Sequence, residues 1–386
     1  MSVLPANSRG EPGVNYMKNL FFYGTLRHIP LLETVIARAG GFLDVAQAVL
    51  PGHAVLAAKD GPFPVLVSET SAEAQGIVVR NLSDEDIARL NFYEAGFDYD
   101  LQRLTLANGE AAEVYVPTPG VWKTDGPWNL DAWVRDWADM SVAAAHEVMD
   151  GFGTLTPDDI AARFPRIRAR AWSNVLAQSS RHGAGVLRGQ VEILERKRAY
   201  TNFFALDEIT LRHETFDGAI SEPLERAVFV SSDASIVLPY DPLRDRVLLV
   251  EQVRLGPVGR RDPVMWQMEP VAGLIDPGET PEAAAHREAW EESALSFSAL
   301  EAVGECYASP GAATDFFHLF VGLCELPDMV QRIGGEAGEG ENIRSHILPF
   351  DDLLALAEDR RTANAPLTLL TYWLAHHRAR LRGTEK

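Results

Sequence analysis

Several acidic side chains lie close together between Gly273 and Glu292, in the second half of the chain. On a helix, Glu288 and Glu292 would be one turn apart on the same face, with Glu291 on the neighbouring stripe. Carboxylates at this spacing repel one another, and a divalent cation relieves the repulsion. Oxygen ligands suit Mg²⁺, and Mn²⁺ as a second choice. A metal held there can bind phosphate oxygens and activate water, so the cluster predicts cleavage of a diphosphate.

The residues around this acidic cluster indicate how it would be held. Thr280 is a suitable N-cap and Pro281 a suitable first helical residue, so a helix is expected to begin there. Arg287 would pair with a carboxylate and keep it in one rotamer. Gly273 and Gly278 would permit a tight loop that brings the backbone carbonyl of Ala272 close to the metal. The alternative is a surface helix whose acidic stripe is only solvated.

The spacing of this segment is glycine, five residues, glutamate, seven residues, Arg-Glu, two residues and Glu-Glu. It resembles the Nudix box, with one departure: Ala294 stands where the family has a glycine, which eases a left-handed turn after the helix. Over about residues 186 to 380 the chain resembles bacterial ADP-ribose pyrophosphatases, through segments that include VEILERKRAY, WQMEPVAGLIDPGE, YASPGAATD and GEAGEGENIRSHIL. The resemblance implies hydrolysis of ADP-ribose to AMP and ribose 5-phosphate.

The same resemblance implies a set of metal ligands and a base. The metal-binding positions would be the carbonyl of Ala272 and the carboxylates of Glu288, Glu292 and Glu341. Glu339, in the glycine-rich acidic segment GGEAGEGEN, would activate water from a mobile loop that closes over the substrate. That composition also fits an ordinary solvated loop.

Further residues gain roles from the resemblance. Glu291 and Arg287 would complete the catalytic set. Arg254, in the segment VEQVRL, would contact the substrate, and a surface ion pair is the alternative for it. The strands from Val186 to about Phe216 match a part that family members exchange between subunits, which implies a homodimer.

In the first half, the motifs FFYGTLR and LNFYEAGFDY resemble the gamma-glutamylcyclotransferase-like (AIG2-like) fold over about residues 18 to 120. The resemblance implies that Tyr23, Gly24, Thr25 and Leu26 present backbone N–H groups to a substrate carboxylate, and that Glu94 shuttles protons. Such a glutamate needs a raised pKa in a water-poor pocket, which its aromatic neighbours could supply. A glutamate pointing into solvent, or a degenerate, ligand-binding or structural domain, is the alternative.

The order of predicted elements gives an α+β protein of two domains. Residues 1–16 form a polar tail, with Met17 as a possible start, and residues 17–120 form a mixed sheet or barrel with helices. Two amphipathic helices with a polar linker occupy 121–182. Residues 183–386 form the Nudix-type α/β/α sandwich, with helices on both faces of a mixed sheet.

The composition restricts the binding partners and the cellular location that the sequence predicts. The net charge of -20 disfavours nucleic acid, because affinity for it depends on Lys and Arg. Only Cys306 and Cys324 are present, which is typical of a reducing compartment and predicts the cytoplasm. No apolar run approaches the ~18 residues of a membrane span.

Three functions remain open at this point. The first is hydrolysis of ADP-ribose, and the second is hydrolysis of another nucleoside-diphosphate sugar. The third is a sensor that binds ADP-ribose or a dinucleotide without cutting it, against which the intact set Glu288, Glu291 and Glu292 argues. The combination of domains resembles Nudix proteins linked to bacterial tellurite resistance.

Overall fold

A computed structural model of the chain describes residues 18–38, 42–97, 99–178, 189–328, 333–334 and 342–383. The chain divides into two compact units, Met1–Ile167 and Arg168–Lys386. The tail predicted at residues 1–16 and the domain boundary predicted near residue 182 lie outside the described residues. Both stay predictions.

The first unit combines a six-stranded sheet with helices. Its strands are β1 (Lys18–Phe22), β2 (Asp44–Ala58), β3 (Pro64–Leu82), β4 (Tyr99–Thr105), β5 (Ala111–Pro117) and β6 (Thr124–Pro127), and its helices are α1 (Ile29–Ile36), α2 (Asp84–Glu94) and α3 (Leu130–Asp150). The strand order is β4-β5-β1-β3-β2-β6. Strand β1 pairs parallel with β5, and the other pairs are antiparallel. This mixed sheet with helices agrees with the α+β domain that the sequence predicts.

Helix α2 carries the glutamate of the second motif to a defined place. The hydroxyl of Ser83 accepts a hydrogen bond from the amide of Asp86, and the Asp86 carboxylate accepts one from the amide of Ser83. This capping box fixes the start of the helix. The α-helix ends at Glu94 and continues as the short 3₁₀ turn Ala95–Phe97.

A long helix, α4 (Pro157–Gln178), crosses the division between the two units. Its first turn is capped by Thr156, whose hydroxyl accepts from the amide of Asp159 while the Asp159 carboxylate accepts from the amide of Thr156. Residues from Arg168 onward belong to the second unit. The predicted pair of amphipathic helices is therefore α3 and α4.

The second unit contains two sheets. Its strands are β7 (Val191–Thr201), β8 (Ala205–His213), β9 (Leu224–Val230), β10 (Ala234–Asp241), β11 (Arg246–Val253), β12 (Trp266–Glu269), β13 (Val271–Leu274), β14 (Ala299–Tyr307), β15 (Phe316–Leu323), β16 (Ile333–Gly334) and β17 (Ile343–Pro349), and its further helices are α5 (Leu255–Arg260), α6 (Pro281–Ser293), α7 (Phe350–Glu358) and α8 (Ala365–Leu381). Strands β7, β8 and β9 form an antiparallel sheet. The other sheet runs β14-β15-β10-β11-β17-β16, with β12 paired to β11 and β13 to β10.

Helices cover both faces of this larger sheet. Leu238 and Tyr240 of β10 join the core formed with α7 and α8, whereas Val237 joins the core formed with α6. All three side chains are fully buried. A strand buried on both faces carries an almost continuous apolar run, as SIVLPY does. The predicted α/β/α sandwich is confirmed.

Strand β2 begins at Asp44 and continues through Pro51 and Gly52, a dipeptide that is typical of turns. The pairing with β3 shifts register between Pro51 and His53, which marks a bulge. A bulge tolerates proline and glycine inside a strand, so this dipeptide does not end β2.

Among the described helices, none has the length and apolar character to cross a membrane.

Candidate functional site

Arg287 of α6 is the centre of the acidic cluster. Its Nε and Nη2 atoms each donate a 2.9 Å hydrogen bond to the carboxylate of Glu279. Its Nη1 atom donates to Glu288 at 2.6 Å and to Glu291 at 3.2 Å, and Nη2 also donates to the carbonyl of Leu274 at 2.9 Å. The carboxylates of Glu279 and Glu288 raise the pKa of Arg287, with Glu279 contributing most. One guanidinium group therefore fixes three carboxylates, and we call this arrangement the Arg287 hub.

The carboxylate of Glu288 lies directly against strand β13. A Cβ atom added at Gly273 would be 1.8 Å from Oε1 of Glu288, so no larger residue leaves room for that carboxylate. Glu292 lies one turn further along α6 and is only 3% exposed. Helix α6 packs on β13 and β10, which brings Glu288 against the strand that contains Ala272.

Arg254 is held by an ion pair. It follows β11, and its Nε atom lies 3.0 Å from both carboxylate oxygens of Glu269, with Nη2 at 2.7 Å from one of them. Glu269 is buried, whereas 42% of the Arg254 side chain is exposed. The ion pair that the sequence left as an alternative is present, and a substrate contact by Arg254 stays a prediction.

The first unit contains a cleft beside the end of α2. Its lining includes Tyr23, Gly24, Thr25 and Leu26, which lead from β1 into a 3₁₀ turn, and Glu94 from the last turn of α2. Two motifs that are about 70 residues apart in the sequence are thus brought to one cleft. Glu94 is half-buried in it and does not point into open solvent.

The electrostatics of this cleft favour a protonated carboxyl. Burial raises the pKa of Glu94 to about 8. Burial, followed by the negative charge of Glu94, raises the pKa of Tyr93, Tyr99 and Tyr115 as well, and both effects also act on Tyr23. The hydroxyl of Tyr23 donates a 2.9 Å hydrogen bond to the carbonyl of Tyr115. A carboxyl that changes protonation near neutral pH can act as a general acid or base.

Comparisons with known proteins match each half separately. The NUDIX domain model matches residues 231–369, and the model "Gamma-glutamyl cyclotransferase, AIG2-like" matches residues 20–134. A solved structure described as "Crystal structure of ADP compounds hydrolase" is 21% identical, covers 49% of this chain and 96% of its own, and superposes with a TM-score of 0.37. The two halves therefore carry two different family signatures.

Curated relatives match the second half over almost their full length. ADP-ribose pyrophosphatase of Escherichia coli K12 is 35% identical over 193 residues, which is 50% of this chain and 91% of that protein. The chain belongs to the Nudix family. The Haemophilus influenzae ADP-ribose pyrophosphatase is 32% identical over 51% of this chain and 91% of its own, and the Cronobacter sakazakii GDP-mannose pyrophosphatase 31% identical over 47% and 92%. The second half is a Nudix diphosphatase domain joined to an AIG2-like domain.

Within the Nudix domain, the structure brings together most of the predicted site. Ala272, Arg287, Glu288, Glu291 and Glu292 lie on β13 and on α6, which pack together. The predicted ligand at position 341 and the predicted base at position 339 (both glutamates) lie outside the described residues. In the part that is described, no group of three or more His, Cys, Asp or Glu side chains is arranged to hold a metal ion.

Two features of the Nudix box refine the sequence prediction. Ala294, at the position of the family glycine, adopts the left-handed conformation with φ 53° and ψ 36°. The turn is closed by hydrogen bonds from Ala294 to Trp290 and from Leu295 to Ala289, so the departure costs strain without changing the geometry. Glu279, for which the sequence predicts no role, is the main partner of Arg287. Its position eight residues before Arg287 was the signal in the sequence that could have indicated this role.

Proposed function

We propose that the Nudix domain hydrolyses the diphosphate of ADP-ribose to AMP and ribose 5-phosphate. The observation that carries this proposal is the Arg287 hub, which fixes three carboxylates beside the buried Glu292. Phosphoryl chemistry depends mainly on positioning and on stabilising charge, so a rigid set of carboxylates is what the protein has to supply. The match to ADP-ribose pyrophosphatases over 91% of their length supports the substrate.

A divalent cation fits the donors in this site. Glu288 and Glu292 offer carboxylate oxygens, and the glycine at 273 leaves a space that the Glu288 carboxylate fills. Together with the carbonyl of Ala272 and with Glu341, beyond the described residues, they would hold Mg²⁺, and Mn²⁺ accepts similar donors. When bound, the cation neutralises charge on the diphosphate and lowers the pKa of water. The arginine hub restrains the rotamer of Glu288.

The remaining site residues receive proposed roles. Glu339 takes the proton from the attacking water, and Glu291 shares the negative charge around Arg287. Arg254, whose guanidinium is already oriented by Glu269, presents its exposed edge to the substrate. A preoriented arginine loses less side-chain freedom when it binds an anionic ligand.

The test is hydrolysis of ADP-ribose, ADP-glucose, GDP-mannose and NADH with Mg²⁺, measured as nucleotide release. We expect ADP-ribose to be cut fastest, and Glu292→Gln to lower kcat by roughly 100-fold because it removes a proposed metal ligand. The matched control is Glu282→Gln, an exposed position in the first turn of the same helix. Tight binding of ADP-ribose without turnover would instead indicate a sensor.

A second candidate substrate is another nucleoside-diphosphate sugar. It is favoured by the similarity to GDP-mannose pyrophosphatases, which covers 92% of the Cronobacter sakazakii protein and 93% of the Yersinia pestis protein. Faster release of nucleotide from GDP-mannose or ADP-glucose than from ADP-ribose would show that this second candidate is the preferred substrate. The acidic site would serve either substrate, because both present the same diphosphate.

For the AIG2-like domain we propose proton transfer on a gamma-glutamyl compound, with release of 5-oxoproline. The support is Glu94, whose pKa of about 8 suits a general acid or base, at the same cleft as Tyr23, Gly24, Thr25 and Leu26. Backbone amides of that turn would receive the substrate carboxylate.

The assay for this activity is 5-oxoproline release from gamma-glutamyl dipeptides. Glu94→Gln is expected to abolish it, because the amide cannot transfer a proton. Glu85→Gln, an exposed glutamate on the same helix, is the control and should retain it. A wild-type protein that binds such dipeptides without releasing 5-oxoproline would indicate a binding domain.

The protein is also proposed to form a homodimer in the cytoplasm. Exposed apolar side chains on the three-stranded sheet support the dimer, among them Val191, Ile193 and Tyr200 at 56–64% exposure in the single chain. Light scattering after gel filtration tests it, and a monomer at micromolar concentration would contradict it. The link to tellurite resistance stays a prediction.

A further inference from the structure

The C-terminal half of α4 is hydrogen bonded to the Nudix unit at several places. The hydroxyl of Ser173 accepts a 2.7 Å hydrogen bond from the amide of Asp233, just before β10. Arg170 is only 4% exposed and donates a 2.9 Å bond to the carbonyl of Phe203, between β7 and β8. Arg170 and Ser173 lie before the segment 231–369 that the NUDIX model matches. The part of α4 from Arg168 onward is therefore a built-in part of the second unit.

A third contact reaches the Arg287 hub itself. The indole N–H of Trp172 donates a 3.1 Å hydrogen bond to the backbone carbonyl of Glu279. Glu279 stands in a tight turn in which its amide donates to the carbonyl of Asp276 at 2.9 Å and its carboxylate accepts from the Asp276 amide at 3.1 Å. The same carboxylate holds Arg287 through two bonds. Trp172 thus contacts the residue that anchors the hub.

We propose that Trp172 is a positioning residue for the Nudix reaction. By fixing the backbone of Glu279, it keeps the Glu279 carboxylate aligned with Arg287, and through Arg287 it keeps Glu288 and Glu291 in place. Direct hydrogen-bond partners of metal ligands change activity by about 10-fold to 100-fold. Trp172 acts further from the ligands, through Glu279 and Arg287, so we expect an effect at the lower end of that range. The inference rests on the hub and holds for whichever nucleoside-diphosphate sugar is cut.

The test compares Trp172→Phe with Ser173→Ala in the full chain. Each variant removes one hydrogen bond between α4 and the Nudix unit, but only Trp172→Phe removes the bond to Glu279, and it retains a large aromatic ring. We expect kcat to fall about tenfold in Trp172→Phe with KM within twofold of wild type, and to stay within twofold in Ser173→Ala. An equal loss of kcat in both variants, or wild-type kcat in Trp172→Phe, would overturn the proposal.

Two further measurements separate positioning from general stability. In the Arg287→Lys background, Trp172→Phe should lower kcat by less than a further twofold, because the residue through which Trp172 acts has already been changed. Amide hydrogen exchange without metal or substrate should become faster across residues 274–282 in Trp172→Phe and not in Ser173→Ala. Unchanged exchange there contradicts the inference even if ADP-ribose is not the substrate, whereas failure to cut ADP-ribose alone contradicts only the proposed function.

Discussion

Replacing Gly273 by alanine should separate the activity of the Nudix domain from its stability. The new Cβ atom would be 1.8 Å from Oε1 and 1.9 Å from Cδ of Glu288, where ordinary contacts begin at 3.4 Å. The Glu288 carboxylate must therefore move by about 1.5 Å. Because a displacement of about 1 Å in a catalytic group can cost roughly 100-fold in rate, we expect kcat to fall by at least that factor.

The same substitution should change the free energy of unfolding very little. Gly273 does not have a positive φ angle, so alanine fits its backbone and gains roughly 0.5–1 kcal/mol by restricting the unfolded chain. The rotated Glu288 loses its 2.6 Å bond to Arg287, which offsets that gain by a similar amount, about 1 kcal/mol. The net change is expected within about 1 kcal/mol.

The assay is steady-state nucleotide release at saturating Mg²⁺, together with thermal unfolding of the same preparations. Gly304→Ala in β14 is the matched control, because a Cβ atom there would meet nothing within 4 Å. Wild-type kcat in Gly273→Ala would refute the reasoning, since Glu288 would then function from another position. A similar loss of kcat in Gly304→Ala would also refute it.

Three further outcomes follow from the geometry. Arg287→Lys should lower kcat by roughly 10-fold to 100-fold with a smaller effect on KM, since lysine cannot hold Glu279 bidentately and reach the other carboxylates; an unchanged kcat contradicts this. Ala294→Gly should stabilise the protein by about 0.5–1 kcal/mol in denaturant unfolding, since glycine adopts φ 53° without strain; a loss of stability contradicts it. Because the folded-state pKa of Glu94 is raised from 4.5 to about 8, its stabilising effect is present below pH 4.5 and is lost as the pH rises through about 8. The Tm of Glu94→Gln should therefore rise relative to wild type across that range, and a constant difference contradicts the raised pKa.

The parts predicted well from sequence are those with strong local signals. Helix α6 begins at Pro281, as predicted, because the Thr280 hydroxyl accepts from the amide of Ala283 and proline suits the first turn. The sandwich was predictable because its central strands are apolar on both faces. Strand β14 (Ala299–Tyr307) was not, since an edge strand with mostly exposed or half-buried residues lacks a clear alternation.

At the two candidate sites, the sequence indicated which residue types would act, whereas the hydrogen-bond partners of those residues depend on the tertiary structure. The spacing between Glu288 and Glu292 follows from helical geometry, and a carboxylate partner for Arg287 was expected. The bond between Trp172 and Glu279 joins residues 107 positions apart, and no periodicity predicts such a contact. The pairing of Arg254 with Glu269 likewise depends on the register of β11 with β12.

Because α4 continues without a break across the division at Ile167 and Arg168, the two halves cannot be separated cleanly at the polar segment that follows it. A polypeptide starting at residue 183 would lack Arg170, Trp172 and Ser173, and would leave backbone groups of the diphosphatase half to be satisfied by water. A polypeptide starting at Thr156 would retain the complete helix with its own cap. Experiments that express the diphosphatase half alone, or exchange it between proteins, should therefore truncate the chain before α4 begins.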